Sequence, residues 1–178
     1  NMVAVDYLEQ KGIGFTTTSG ATSQSIAEYV LGNILAWNRD MNQFDRIVKQ
    51  ERWTWEKRRN WIRRDLADTS VAIIGYGPAG KRVARVLATF GCRLHLFSYS
   101  MPKPEGIISE FTGTTGTLKD FFKFHMQVDY LTLHCPLTPQ TFKLINASVL
   151  SLLPASAVVI NTSRGECIDE GALIQALK

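Results

Sequence analysis

Three glycines occur at fixed spacing in the run Gly75-Tyr76-Gly77-Pro78-Ala79-Gly80, directly after the apolar run Val71-Ala72-Ile73-Ile74. In a strand-turn-helix unit, the first such glycine makes a tight turn and the second lets the backbone approach a pyrophosphate. The third lets the helix pack closely on the strand. The following helix would offer free N–H groups to the phosphates, and Pro78 suits its first turn, where an N–H is not needed. The spacing therefore indicates a dinucleotide-binding site.

A second motif, Asn161-Thr162-Ser163-Arg164-Gly165-Glu166, follows the apolar run Val158 to Ile160. The planar guanidinium of Arg164 can bind a carboxylate through two parallel hydrogen bonds and polarise an adjacent carbonyl group. Ligands of open α/β sheets bind beyond the carboxyl ends of the strands, which is where Arg164 falls. We therefore favour a catalytic role for Arg164 over the alternative of an arginine that caps a strand or pairs with an acid.

These motifs need a framework of alternating strands and helices. Continuous rather than alternating hydrophobicity predicts strands buried on both faces, hence an α/β fold with a doubly wound parallel sheet of the Rossmann type. The predicted strands are Val71 to Ile74, Leu94 to Phe97, Tyr130 to Leu133 and Val158 to Ile160, with a further strand at Gly14 to Thr18. The predicted helices are one capped by Ser23 or Ser25 and running to Leu35, then Asn42 to Arg52, Lys81 to Phe90, Leu118 to Phe124, Ala147 to Leu152 and Glu170 to Leu177.

Length and composition limit the possible classes of protein. With 178 residues, 45% of them hydrophobic, the chain can bury one good core or one domain and part of another. Its three cysteines, Cys92, Cys135 and Cys167, are widely spaced, so we expect neither disulfides nor a metal site. No leader is evident, and the apolar stretch from Tyr29 to Trp37 is too short for a bilayer. We expect a cytoplasmic protein.

Positive charge is concentrated in one segment. Between Arg46 and Arg64, eight basic residues accompany two acidic ones, with Trp53, Trp55 and Trp61 among them. Such a composition is typical of nucleic-acid or protein contact surfaces. We favour packed aromatics and solvated charges, because a nucleic-acid-binding domain would carry its basic residues more widely. Neither a nucleic-acid nor a membrane partner is therefore expected.

Five stretches taken in order resemble the D-isomer-specific 2-hydroxyacid dehydrogenase family. They are Val5-Asp6 with Leu8 and Lys11-Gly12-Ile13; Ser19-Gly20-Ala21 with Ser25 to Tyr29; Gly75 to Gly80; Leu133 to Pro139; and Ile160 to Asp169. The resemblance implies hydride transfer between NAD or NADP and a small D-2-hydroxy or 2-keto acid. It further implies that residues 1–20 are a remnant of a substrate domain and that residues 21–178 are a dinucleotide-binding domain, incomplete at its C-terminus.

The resemblance also implies roles for individual residues. Arg164 would bind the substrate carboxylate, whereas the family's catalytic histidine and glutamate correspond to positions beyond Lys178, so we expect the isolated chain to be inactive. We interpret His134 as a histidine that is either structural or supports the cofactor site indirectly, and His95 and His125 as weaker candidates for catalysis still. The implied cofactor-binding residues are Thr18, Gly75, Gly77, Pro78, Ala79, Gly80, Ser98, Cys135, Pro136, Thr162, Ser163 and Arg164.

Two of these positions depart from the family's pattern. Pro78 replaces a frequent arginine, and Ser98 stands where NAD-preferring members carry an acid about 20 residues beyond the fingerprint. The resemblance also implies a homodimer. We keep open a non-enzymatic, dinucleotide-sensing corepressor-like scaffold of the same fold, with the Arg58 to Arg64 region as its contact surface. The run Asn161 to Glu166 disfavours a different Rossmann enzyme, such as a methyltransferase.

Overall fold

A computed structural model of the chain describes residues 4–50, 64–104, 111–124 and 127–178. Its strands are β1 (Ser70–Ile74), β2 (Arg93–Ser98), β3 (Gly113–Thr117), β4 (Tyr130–Leu133) and β5 (Val158–Asn161). Its helices are α1 (Val5–Gln10), α2 (Ser23–Asn38), α3 (Met41–Gln50), α4 (Pro78–Thr89), α5 (Leu118–Phe121), α6 (Ala147–Leu150) and α7 (Glu170–Ala176). Short 3₁₀ turns occupy Leu66–Asp68 and Gly165–Cys167.

The five strands form one parallel sheet in the order β3-β2-β1-β4-β5. The order reverses between β1 and β4, so the loops that follow these two strands diverge and leave a crevice at their carboxyl ends. In β1, Val71 and Ile73 face a core shared with α2 and α4, whereas Ala72 and Ile74 face a second core shared with α5 and α6. The predicted doubly wound parallel sheet is confirmed.

Strand β3 was not expected, because its sequence, Gly-Thr-Thr-Gly-Thr, contains no apolar run. Its glycines permit close packing on β2. A Cβ at Gly113 would lie 1.7 Å from the carbonyl oxygen of Leu94, and one at Gly116 would lie 3.0 Å from Cε1 of Phe97. The strand therefore depends on glycine at these two positions, a requirement that a search for apolar runs does not detect.

The expected strand at Gly14 to Thr18 is wrong. These residues are exposed and have no strand geometry, since no described strand lies beside them to complete a ladder. The expected caps of α2 are also wrong: Thr22 is its N-cap residue and makes no side-chain cap bond, while Ser23 and Ser25 lie inside the helix. Backbone bonds from Ala21 to Thr18 and from Ser23 to Gly20 make the turn instead.

The other helices match the predictions with shifted ends. Helix α4 begins at Pro78, three residues earlier than predicted, and Pro78 occupies its first turn as expected. Helices α5 and α6 end early, at Phe121 and Leu150, where the chain continues as turns. The end predicted at Arg52 lies outside the described residues, as do the Trp53, Trp55 and Trp61 patch and His125. Within the described ranges, no helix is long and apolar enough to cross a membrane.

His95 lies buried in the middle of β2, against the ring of Phe124, with 4.6 Å between ring centroids. Its Nδ1 atom has no hydrogen-bond partner among the described residues. Burial, helped by the charge of Arg93, lowers the pKa of His95 from 6.5 to about 4. The folded protein therefore resists protonation at a position where the unfolded chain accepts a proton readily.

We expect His95 to make the fold sensitive to acid. Its contribution to stability is complete above pH 6.5 and is lost as the pH falls toward 4, up to about 3 kcal/mol. His95→Leu should reduce this loss of stability at low pH, since leucine fills a similar volume and takes up no proton. Urea denaturation of both proteins between pH 4 and 8 measures the effect. A difference in unfolding free energy that stays constant across this range would contradict it.

Candidate functional site

A cavity of about 1320 Å³ opens at the carboxyl ends of β1, β2, β4 and β5, where the strand order reverses. Helix α2 and the N-terminus of α4 form its other walls. It is lined by Ser19, Thr22, Ile26, Gly75, Tyr76, Gly77, Pro78, Ala79, Ser98, Tyr99, Leu118, His134, Cys135, Pro136, Leu137, Thr138, Gln140, Thr141, Thr162, Ser163 and Arg164. The site thus combines one glycine-rich turn with polar loops from three other strands.

The glycines of the fingerprint have three separable steric roles. Gly75 has a φ of +95°, and a Cβ there would lie 2.6 Å from the backbone nitrogen of Cys135. A Cβ at Gly80 would lie 1.9 Å from the carbonyl oxygen of Gly75, so this glycine allows α4 to pack on the turn. Around Gly77, by contrast, a Cβ would meet nothing within 4 Å. The space beside Gly77 is therefore available to a ligand.

Ser98 ends β2 and faces the same turn. Its hydroxyl accepts a hydrogen bond of 3.4 Å from the backbone N–H of Tyr76. The hydroxyl proton is left to donate to a ligand. Tyr99, which follows Ser98, is 81% exposed and provides an aromatic surface at the cavity mouth.

The loop after β4 carries a cluster of hydroxyl groups. The hydroxyl of Thr141 donates to the carbonyl oxygen of Pro136 at 2.6 Å and accepts from the backbone N–H of Thr138 at 2.7 Å. These bonds fold the loop back on itself, so this wall of the cavity is held in shape. At its start, Cys135 is buried, and burial next to the Cys167 thiol raises the Cys135 pKa to about 12. A neutral thiol of this kind is not a nucleophile.

Arg164 stands on the loop after β5, which Asn161 organises. The Asn161 side chain accepts from the backbone N–H and hydroxyl of Ser163 at 2.9 and 2.8 Å, and donates to the carbonyl oxygen of Arg164 at 2.8 Å. The exposed guanidinium bonds only the Ser163 carbonyl, at 3.0 Å, and forms no ion pair with a described residue. It is therefore free to bind an anionic ligand in the cavity.

His134 lines the cavity, but its ring is already engaged. Nδ1 lies 2.8 Å from the hydroxyl of Thr162, and Nε2 lies 3.0 Å from that of Thr132. Burial lowers its pKa from 6.5 to about 4, so the ring is neutral at physiological pH. The expectation that His134 is structural agrees with these contacts.

The cavity brings together most of the predicted site residues. Thr18 and Gly80 are the two exceptions: Thr18 is exposed on the turn before α2, and Gly80 is buried beneath Gly75. Tyr99, expected from the sequence to donate a hydrogen bond to a 2′-phosphate, lines the cavity mouth. Sequence reasoning gave no role to the Thr138 to Thr141 cluster, although it lies in the loop after a predicted strand, a position that could have identified it. Ile26 and Thr22 had no such signal, because only tertiary packing brings α2 to the crevice.

The residues present fit a dinucleotide. The cavity is large enough, Gly77 leaves its backbone accessible, and the N-terminal N–H groups of the 12-residue helix α4 are directed at the crevice. Pro78 removes one N–H from this set and supplies no charge. Among the described residues, no group of three or more histidine, cysteine or acidic side chains could hold a metal ion.

Comparison with known proteins gives one family. Residues 31–178 match the family model described as "D-isomer specific 2-hydroxyacid dehydrogenase, NAD binding domain". The chain is 32% identical over 181 residues to glyoxylate reductase from Aeropyrum pernix, covering 99% of this chain and 52% of that protein. It is 31% identical over 180 residues to D-3-phosphoglycerate dehydrogenase 2 from Saccharomyces cerevisiae, covering 100% of this chain and 36% of that protein.

Solved structures agree in fold. The NAD-complexed D-isomer specific 2-hydroxyacid dehydrogenase from Lactobacillus delbrueckii ssp. bulgaricus superposes with a TM-score of 0.79 at 27% identity, covering 99% of this chain and 51% of that one. The enzyme from Xanthobacter autotrophicus Py2, in complex with NADPH and MES, gives 0.74 at 30% identity, with coverages of 90% and 48%. The predictions of family resemblance and of a nicotinamide dinucleotide cofactor, NAD or NADP, are confirmed.

We expect Gly77→Ala and Gly80→Ala to affect different properties. The methyl group at position 77 enters open space, so it should cost less than about 1 kcal/mol of stability but weaken NADH binding about tenfold or more. Gly80→Ala must displace α4 and should cost about 2 kcal/mol. Thermal denaturation and NADH fluorescence titration separate the two effects. Equal loss of stability in both variants would contradict the assignment.

Proposed function

Because this chain belongs to the D-isomer specific 2-hydroxyacid dehydrogenase family, we propose that the full-length protein transfers a hydride between a nicotinamide cofactor and a small D-2-hydroxy or 2-keto acid. One observation carries the proposal. Arg164, without an ion-pair partner among the described residues, lies on the wall of a cavity that fits the cofactor. A free guanidinium on the wall of a cofactor cavity is suited to substrates that carry a carboxylate next to a carbonyl group.

The proposed division of the chain places residues 1–20 in a substrate domain and residues 21–178 in the dinucleotide-binding domain. Two observations support it. Helix α1 contains no buried residue, and residues 11–20 are exposed. The family model of the NAD binding domain begins at residue 31.

When bound, the nicotinamide cofactor would supply or accept the hydride. Arg164 holds the substrate carboxylate and polarises the carbonyl group that is reduced, while the Asn161 side chain keeps the Arg164 backbone in place. Proton transfer is assigned to neither described histidine. Both ring nitrogens of His134 are hydrogen-bonded, and His95 lies in the core.

The role of Arg164 is tested with Arg164→Lys in the full-length protein. Lysine keeps the charge but cannot form the two-pronged contact, so kcat/KM for 2-keto acids should fall about a hundredfold. The Kd of NADH, from fluorescence titration, should change little. Arg93→Lys, exposed at the amino end of β2 and outside the cavity lining, is the matched control. Near-normal turnover of Arg164→Lys would refute the assigned role.

The cofactor site also supports the use of NADP. An acidic residue at position 98 would hold the ribose hydroxyls and repel a 2′-phosphate, whereas Ser98 lacks this charge. The Tyr76 N–H already occupies one acceptor position of the Ser98 hydroxyl, whose proton can then donate to phosphate. The alternative is a NAD enzyme that has lost one ribose hydrogen bond. Tyr99 supports this alternative. NADP-using members of the family usually carry an arginine at this position, and a tyrosine cannot make the same charge-assisted contact with the phosphate.

Ser98→Asp decides between these alternatives. If NADPH is used, the variant should lose at least about tenfold in kcat/KM with NADPH and gain with NADH, measured on the full-length protein. Ser98→Asn, which adds bulk without charge, is the control. A wild-type protein that already discriminates against NADPH about a hundredfold, or about 2.7 kcal/mol, would refute the use of NADP.

A homodimer through α2 and α3 is the proposed assembly. On the outward face of α2, Tyr29 is 61% exposed and Trp37 is 54% exposed, and both line a groove of about 480 Å³ beside β5. Helix α3 buries none of its residues, although Met41 and Val48 are large and apolar. Exposed aromatic residues on adjacent elements are typical of an interface core.

Sedimentation of the full-length protein tests this assembly. We expect a dimer at about 10 μM, a typical concentration for moderate interface affinities, and a monomer for the double substitution Tyr29→Arg with Trp37→Glu. Phe122→Glu, an exposed aromatic position beyond α5 on the other side of the sheet, should remain dimeric. A wild-type monomer, or two equally affected variants, would overturn the proposed interface.

No observation on the described residues favours the corepressor-like alternative. Its proposed contact surface, Arg58 to Arg64, lies almost entirely outside those residues. The oxidoreductase proposal therefore stands on the cavity and Arg164.

A further inference from the structure

A chain of hydrogen bonds runs from the sheet interior to the loop that carries Arg164. It begins at Thr132, which is fully buried in β4, passes through the ring of His134 and reaches the hydroxyl of Thr162. Thr162 in turn bonds the carbonyl oxygen of Leu133, at 3.1 Å through its hydroxyl and at 3.3 Å through its backbone N–H. The loop after β5 is thereby joined to the end of β4.

Each bond in this chain can be given a donor and an acceptor. The Leu133 carbonyl can only accept, and it is within reach of both the hydroxyl and the backbone N–H of Thr162. The Thr162 hydroxyl has one proton, so Nδ1 of His134 donates when that proton goes to Leu133 and accepts when it goes to the ring. A neutral imidazole with its proton on either nitrogen therefore bonds both threonines.

The same loop is held from its other side by Asn161, whose side chain binds Ser163 and the carbonyl oxygen of Arg164. Asn161 constrains the loop internally, whereas the Thr162 side chain connects it to the end of β4 and to His134. One residue, Ser163, separates Thr162 from Arg164, so a shift of the Thr162 backbone also moves the backbone that carries the guanidinium.

We propose that Thr132 and His134 are positioning residues for Arg164, acting through the ordered bonds Thr132 to His134 to Thr162. Neither of them needs to touch the substrate: Thr132 does not line the cavity, and both ring nitrogens of His134 are engaged within the protein. This inference rests on the proposed function, since its consequence for catalysis is the placement of the substrate carboxylate.

Thr132 offers a test without direct ligand contact. In the full-length protein, Thr132→Val keeps the side-chain shape but removes the hydrogen-bond partner of His134 Nε2. We expect kcat/KM for a 2-keto acid to fall about tenfold through a higher KM, with the Kd of NADH nearly unchanged. Thr132→Ser retains the hydroxyl and should restore activity. Thr69→Val removes another buried hydroxyl, bonded to the Leu66 carbonyl at 2.7 Å at the opposite end of the sheet, and should leave KM unaltered.

A second readout is independent of activity. Imidazole ¹⁵N chemical shifts of the wild-type protein should show a neutral His134 ring, and Thr132→Val should perturb the Nε2 shift. An unchanged Nε2 shift or an unchanged KM in Thr132→Val, or failure of Thr132→Ser to restore activity, would each overturn the positioning role. If the wild-type protein transfers no hydride to any 2-keto acid, the proposed function fails, and the response of the Nε2 shift to Thr132→Val alone decides whether the bond chain exists.

Discussion

Two close backbone approaches at the turn after β1 shape the site, one to the start of the loop after β4 and one to the first turn of α4. At Gly75 the backbone of Cys135 is so near that no Cβ fits, and at Gly80 the carbonyl oxygen of Gly75 leaves no room for one. This double contact sets the angle at which α4 leaves the sheet. It also decides where the N–H groups of α4 are directed and how wide the crevice opens. The polar loops of β2, β4 and β5 can converge only because this turn occupies so little space.

Around that constraint, the site uses backbone and neutral side chains far more than charge. Hydroxyl and amide groups of Asn161, Thr141 and Thr162 hold the walls, and the ring of His134 is kept neutral by burial. The polar groups of the cavity walls are thus already hydrogen-bonded within the protein, whereas the cation of Arg164 remains available to a ligand. Preorganised dipoles do not have to reorient when a ligand enters, so the charge keeps its full effect.

How much of this was predictable depends on the kind of signal. The four apolar strands, the glycine turn and Arg164 have local signatures, and the sequence predicts them in the right places. Strand β3 has none, because Gly113 and Gly116 are selected by close packing on β2 rather than by hydrophobicity. The bonds around His134 were equally hidden, since they join residues 132, 134 and 162, which only strand pairing brings together. The expected strand at Gly14 to Thr18 failed for a related reason: extended sequence makes a strand only beside a partner.

The strand order has a consequence for synthesis of the protein. Strand β1 lies in the centre of the sheet, but its partner β4 follows it by more than 50 residues along the chain. While the chain emerges from the ribosome, β2 can cover one edge of β1, yet the other edge stays open until Leu133 has been made. For that interval the nascent chain presents an unpaired apolar edge, a template on which another chain could assemble. The length of the segment between β2 and β4 therefore sets how long this edge stays unpaired during synthesis, and chaperone binding matters most in that interval.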